Sequence, residues 1–317
     1  MKILLIQMDG KMPNLALLKL SRFHKDRNNE VRLEIYDPKI KLNYIKNRMR
    51  FPDEVYISCI FKNNLRKAQE IKKLYSVVGI DTQIGGPALW EPNHLPIEAE
   101  HLMPDYSLYP DMDYSLGYTQ RGCPNNCPFC VVPKMEGGFK EYAPISEFQN
   151  DDFNKLVLYD NNFLASKIWR EKLNYIETQG LKVSFNQGLD ARLVDEEKAQ
   201  WLADTSSYNI SFKNRTFYFA WDLMENSDAI LRGLQRMIDA GIKPWSLMCY
   251  LLVGFNTTHQ QDLFRFNKLR EMGIDPFVMI YNNRRDDQWL RDFSRWVNKR
   301  IYKSCKLEDY KNGVLKE

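Results

Sequence analysis

Apolar positions along the chain switch repeatedly between a strand-like and a helix-like period. Residues 2–7 form a short apolar run, residues 31–36 alternate apolar with charged, and residues 55–61 are again apolar. Between them, residues 13–26 space Leu15, Leu18 and Phe23 helically, and residues 65–78 place Ala68, Ile71, Leu74 and Tyr75 on one helical face. The run Thr82-Gln83-Ile84 then enters Gly85-Gly86-Pro87. Strands alternating with helices imply a parallel sheet, so residues 1–100 are expected to form a Rossmann-like or flavodoxin-like domain. Residues 88–113 are Pro-rich with little periodicity. They cross to a second domain, with 101–113 as the linker and His94 and His101 as surface or packing residues.

From residue 114 the alternation resumes and stays regular. Strands are expected at 114–119, 156–159, 182–185, 216–221, 245–253 and 277–280, with helices at 166–178, 195–204, 227–240 and 259–272 between them. A last amphipathic helix carries Trp289, Phe293, Trp296, Val297 and Ile301. Gly180, Gly241 and Gly273 fall where helix C-termini want a left-handed residue. Six strand–helix units are two short of a closed eight-fold barrel. The expected class is therefore α/β: the N-terminal domain, then a partial (β/α)6 TIM-type barrel over 114–283, then a helix and charged tail over 284–317.

Composition narrows the function classes. Of 317 residues, 44% are hydrophobic and 27% charged, as in ordinary globular proteins. No apolar run approaches bilayer length, so no membrane partner is expected. The N-terminal apolar run is too short for a signal peptide and is expected as a buried strand, which points to a reducing cytoplasm. A net charge of +4 does not by itself argue for nucleic acid. Lys and Arg do outnumber Asp and Glu in residues 11–50 and 284–317. Solvated helix faces account for that, and a phosphate-rich partner such as nucleic acid is the other reading.

The densest chemistry is Gly122-Cys123-Pro124-Asn125-Asn126-Cys127-Pro128-Phe129-Cys130. Three thiols at C-x3-C-x2-C spacing can wrap one small inorganic centre. A [4Fe–4S] cluster normally takes four thiolates, so three leave one iron open to a substrate or cofactor. Pro124 and Pro128 stiffen the loop, and Gly122 allows a sharp turn into it. Zinc would want a fourth ligand, and none of His24, His94, His101 and His259 is near in sequence. Cys59, Cys249 and Cys305 are scattered and expected to be incidental thiols.

This cysteine spacing, with aromatic Phe129 before the last Cys, resembles the signature of the radical S-adenosylmethionine (SAM) superfamily. The resemblance extends over about residues 114–283, because that family folds as an open six-stranded partial barrel. It implies a [4Fe–4S] cluster on Cys123, Cys127 and Cys130, with SAM on the fourth iron. It also implies a one-electron reductant of the flavodoxin or ferredoxin type, and a deoxyadenosyl radical that takes hydrogen from a substrate the sequence does not name. Residues 1–100 resemble the cobalamin-binding-type domain that precedes many such barrels. Base-off cobalamin binding uses an Asp-x-His-x-x-Gly loop, whereas residues 8–13 supply Asp9 and no His at that spacing. The fold is therefore expected without cobalamin.

In parallel barrels, function collects at the C-terminal ends of the strands. There the resemblance offers Asp160, Asn161 and Asn162 for the SAM amino group, in place of the family's Gly-Gly-Glu-like motif; Asn162 is equally readable as a helix N-cap. Asp190 is offered to ribose hydroxyls and Arg192 to the SAM carboxylate, unless the two pair with each other. Trp221 and Asp222 are offered to substrate or ribose, and Gly254, Asn282 and Phe129 to adenine. No Ser-His-Asp set, phosphate loop or carboxylate dyad stands out, so no protein catalytic group is assigned. Two other readings stay open. One is an RNA-modifying methylthiotransferase- or methyltransferase-like member, although the N-terminal half holds only Cys59 for a second cluster. The other is a non-catalytic zinc- or nucleic-acid-binding module on the same fold.

Overall fold

The computed structural model describes residues 1–37, 52–91, 94–284, 286–311 and 314–315. The chain packs into two compact units, residues 1–122 with 131–153, and residues 123–130 with 154–317. Part of the basic stretch 11–50 lies outside the described residues.

In the first unit, β1 (Lys2–Gln7), α1 (Leu15–Lys25), β2 (Glu30–Ile35), β3 (Glu54–Ser58), α2 (Lys62–Val77) and β4 (Asp81–Gly85) follow in order. The four strands are parallel in the order β2-β1-β3-β4, which begins a flavodoxin-like sheet. The central β1 is buried on both faces. Leu4 and Ile6 cluster with Val55 and Ile57 of β3 and with Ala68, Ile71 and Tyr75 of α2. Ile3 and Leu5 cluster with Leu17 and Leu20 of α1. Asn14 caps α1, its side chain accepting from the Leu17 N–H at 3.2 Å.

The loop after β1 is tied down by Asp9. Its carboxylate accepts from the Ile60 N–H at 2.8 Å, the Phe61 N–H at 3.1 Å and Asn64 Nδ2 at 2.9 Å. Residues 101–113, expected as a linker, contain the 3₁₀ turn Tyr106–Leu108 and pack into this unit. Asp105 is buried there against Lys25 Nζ at 2.7 Å. His101 sits beside Glu147 at 3.0 Å, consistent with a packing role.

The first unit also holds β5 (Ser115–Gly117) and an antiparallel pair, β6 (Gln120–Arg121) with β7 (Lys140–Glu141). The strand expected over 114–119 is thus shortened to Ser115–Gly117, and β6 begins beyond it. Gly122 follows with φ +70°, and a Cβ there would lie 2.2 Å from the Gly138 carbonyl oxygen. Only glycine fits the turn into the cysteine loop.

The second unit runs β8 (Lys155–Leu158), α3 (Trp169–Thr178), β9 (Lys182–Phe185), α4 (Glu196–Asp204), β10 (Phe217–Ala220), α5 (Ser227–Asp239), β11 (Leu247–Val253), α6 (His259–Glu271), β12 (Asp275–Ile280) and α7 (Gln288–Asn298). Strand β8 pairs in parallel with β9, and β10, β11 and β12 pair in parallel in sequence order. A parallel bridge between Leu189 and Phe219 links the two sets. Parallel neighbours in chain order, with helices between, are the barrel-type arrangement expected of an α/β partial barrel. Along β11, Leu247, Cys249, Leu251 and Val253 are buried while Met248, Tyr250 and Leu252 are half-buried. Gly180, Gly241 and Gly273 do follow their helices with positive φ.

Several boundaries differ from the sequence expectation for identifiable reasons. Strand β11 starts at Leu247 rather than 245 because Pro244–Ser246 makes a 3₁₀ turn that leaves Trp245 exposed. Helix α3 starts at Trp169 because Phe163–Ala165 takes its own 3₁₀ turn. Ile301 falls outside α7, in the turn Ile301–Lys303, and Trp289 stacks on His259 at 4.1 Å. The expected charged tail includes a short antiparallel pair, β13 (Tyr310–Lys311) with β14 (Val314–Leu315). Among the described residues no helix is long and apolar enough to cross a membrane.

One side chain holds the ends of two strands. Arg265 of α6 is fully buried and pairs with the equally buried Asp262 at 2.6 Å. Its guanidinium also donates to the carbonyls of Trp221, of Asp222 at 3.2 Å, and of Leu252 at 2.7 Å. Those carbonyls lie just past β10 and near the end of β11, and buried carbonyls need such donors. Breaking a buried pair by deleting one member leaves an uncompensated charge. Arg265→Leu is therefore expected to destabilise the chain by about 3–5 kcal/mol. The double change Asp262→Leu with Arg265→Leu should recover part of that loss. Denaturant unfolding of both variants checks this, and a double variant no more stable than Arg265→Leu alone would contradict it.

Candidate functional site

The candidate site residues lie in the cysteine loop and past the C-terminal ends of the second unit's strands. Within the loop, the Cys130 N–H donates to the Cys127 carbonyl at 3.0 Å, closing a turn around Pro128 and Phe129. All three cysteines are thiols and partly exposed. Burial pushes the Cys127 thiol up, Arg192 opposes it, and Cys130, Cys123 and Asp222 add to the rise. The three sulfurs and Arg192 thus share one electrostatic environment.

Cys123 Sγ accepts from two N–H groups, the Asn125 backbone at 3.4 Å and Asn162 Nδ2 at 3.7 Å. Both asparagines also reach Asp190. Asn125 Nδ2 and Asn162 Nδ2 each donate to Asp190 Oδ2 at 3.1 Å. Arg192 completes the set with Nε on Oδ1 at 2.8 Å, Nη2 on Oδ2 at 2.7 Å and its own backbone N–H on Oδ1 at 3.1 Å. Burial alone would raise the Asp190 pKa, but these bonds and the guanidinium charge hold it below the usual carboxylate value. Of the two uses weighed for Asp190 and Arg192, mutual pairing is the one seen in this structure.

Asp160 and Asn162 are buried past the end of β8, and Asn161 is half-buried between them. Asn162 precedes the 3₁₀ turn Phe163–Ala165, yet its side chain makes no capping bond there. Its amide faces Cys123 and Asp190 instead. Among the described residues, Asn162 Oδ1 and Asn161 Nδ2 are buried with no hydrogen-bond partner. Orphaned buried polar atoms are costly, so each of these two atoms wants a partner that the chain itself does not supply.

A second group is aromatic. Phe129 meets Phe255 edge-on at 5.5 Å, and Phe255 meets Tyr281 at 4.7 Å. Gly254 sits beside them with φ +76°, and a Cβ there would lie 2.8 Å from Leu290 Cδ1. The close approach that Gly254 permits is therefore made by Leu290. Asn282 is exposed, in a left-handed conformation within the turn Tyr281–Asn283.

Sequence reasoning passed over two residues. Asn125 lies inside the motif but was given no role, and only the folded loop brings its amide to Asp190. Arg265 carried a usable signal: Asp262, Arg265, Phe266 and Leu269 fall on one helical stripe, so two charges occupy core positions.

Among the described residues, no three His, Cys, Asp or Glu side chains stand close enough to share one metal ion. A [4Fe–4S] cluster distributes its thiolates over different irons. Three thiols on one stiff loop, a nearby guanidinium and N–H donors to sulfur form a donor set that fits such a cluster. No protein-family model matches the chain. No curated protein matches it in sequence. Among solved structures, an apo, selenomethionine-labelled cobalamin-dependent S-adenosylmethionine radical enzyme, OxsB, is similar at a TM-score of 0.45 and 14% identity, over 99% of this chain. The chain spans 57% of the length of that protein.

Asp222 follows β10 and differs from Asp190. Burial pushes its carboxyl up to about 6, against the pull of Arg265, Arg192 and a bond from the Leu252 backbone; Asp190 adds to the push. A carboxyl with a raised pKa holds its proton more tightly when folded. Its stabilising contribution is present at low pH and is lost as pH rises from the ordinary value of 3.8 through about 6. Asp222→Asn removes that dependence. The melting temperatures of parent and variant should lie close at pH 4, with the variant gaining on the parent up to pH 8. A difference that stays constant across that range would contradict the buried, proton-holding carboxyl.

Proposed function

We propose that the chain is a radical SAM enzyme in which Cys123, Cys127 and Cys130 hold a [4Fe–4S] cluster and leave one iron for SAM. The observation that carries this reading is the C-x3-C-x2-C loop, whose thiols share one electrostatic environment among the strand ends of a parallel barrel-type sheet. Such a cluster, when bound, supplies the electron that splits the sulfonium of SAM. Asn162 Oδ1 and Asn161 Nδ2 offer an acceptor and a donor for the amine and carboxylate of the methionine moiety. Phe129, Phe255 and Tyr281 form an aromatic wall suited to adenine. Asp222 stays protonated more readily than an ordinary carboxyl and can donate as well as accept. Arg192 and Asp190 act on the loop rather than on the cofactor. The electron source is a flavodoxin- or ferredoxin-type reductant, and the substrate is a molecule bearing an abstractable hydrogen.

Anaerobic reconstitution with iron and sulfide, then incubation with SAM and dithionite, tests this. The expected result is cluster absorbance and release of 5′-deoxyadenosine, both lost in Cys123→Ala, Cys127→Ala and Cys130→Ala. An iron-free protein carrying stoichiometric zinc would overturn it.

A further inference from the structure

Five N–H groups converge on the Asp190 carboxylate. Two oxygens offer about four lone-pair sites, so this acceptor is saturated and its orientation is fixed. The Arg192 fork and backbone supply three of the donors and lock the carboxylate to its own turn. The other two come from Asn125 and Asn162, the same residues whose N–H groups meet Cys123 Sγ. Asn162 Nδ2 has two hydrogens, which one acceptor on each side can use: Asp190 at 3.1 Å and Cys123 at 3.7 Å. Without Asp190, neither asparagine amide has this anchor.

We infer that Asp190, through Asn125 and Asn162, is a positioning residue that aims N–H donors at the Cys123 sulfur and thereby raises the reduction potential of a cluster bound there. The inference rests on the cluster reading above. Hydrogen bonds to a ligating sulfur stabilise the added negative charge of the reduced state, so they raise the potential, and their loss lowers it. Asp190 itself is an anion, and acting through space it would do the opposite. A bare negative charge nearby disfavours reduction, and removing it would raise the potential. The sign of the effect therefore separates the two roles.

The test is a dithionite titration of the full reconstituted chain without SAM, followed by electron paramagnetic resonance. Asn162→Leu changes no charge and removes the amide donor; its midpoint is expected to shift to more negative potential. Asn162→Ser, smaller and still polar, carries the same expectation if the leucine variant fails to fold. Asp190→Asn is expected to shift the midpoint in the same direction. An unchanged midpoint in the Asn162 variants overturns the inference, and so does a positive shift in Asp190→Asn, which would make the carboxylate a through-space charge. A parent chain that takes up no cluster fails before any variant is compared, and overturns the cluster reading instead.

Discussion

Parallel strands leave carbonyls without sheet partners beyond their ends, and in the second unit Arg265 donates to carbonyls at two of those ends. A guanidinium with no exposed surface depends on protein acceptors, because water cannot reach it; Arg265 Nη1 and Nη2 find them, while its Nε and Asp262 Oδ2 are buried without a partner among the described residues. Its acceptors are the Asp262 carboxylate and the carbonyls of Trp221, Asp222 and Leu252. The ion pair alone is weak grounds for stability, since desolvating two charges costs about as much as their attraction returns. What it provides is geometry: the ends of β10 and β11 are held together from a helix behind them. Asp222 inherits its position and part of its electrostatics from this arrangement.

The elements were legible in the sequence where burial is periodic. The alternation along β11 and the apolar face of α7 both follow from which side chains meet water, and local pattern records that directly. The order β2-β1-β3-β4 was not legible, because strand neighbours are set by packing between distant segments. Nor was the early end of the expected 114–119 strand at Gly117, since nothing local separates Tyr118 and Thr119 from the strand residues before them. The Cys motif stands out in the sequence because its three thiols lie in one loop. The partners of Asp190 could not, because Asn125 and Asn162 stand 65 and 28 positions away from it. Distance along the chain, rather than weakness of the interaction, is what hid them.

The first unit makes the same point from the other side. Its resemblance to a cobalamin-binding-type domain rests on strand–helix order and on the ending Ile84-Gly85-Gly86-Pro87. The structure shows what Asp9 does in the loop where that family places its motif: it accepts from two backbone N–H groups beyond β3 and from Asn64 at the start of α2. A carboxylate is favourable at a helix N-terminus, where backbone N–H groups lack intrahelical partners and the dipole is positive. Asp9 thus supplies from within the chain the negative charge that this end of α2 favours, and it fastens the first and third loops of the sheet together.

Two carboxylates at the edge of the second unit are pushed in opposite directions by their surroundings. Asp190 gains more from Arg192 and the asparagine amides than it loses to burial, so it stays ionised and acts as a fixed acceptor. Asp222 lies beyond the direct reach of a guanidinium fork, and burial dominates, with the negative charge of Asp190 adding to the same push. The two shifts are coupled: because Asp190 is held ionised, Asp222 more readily keeps its proton. A pair whose members are driven apart in this way divides its labour, one member for architecture and one able to exchange a proton or a hydrogen bond. That division follows from where Arg192 points, and Arg192 points at Asp190 because a single 3₁₀ turn, Ala191–Leu193, carries the guanidinium back onto the residue that begins it.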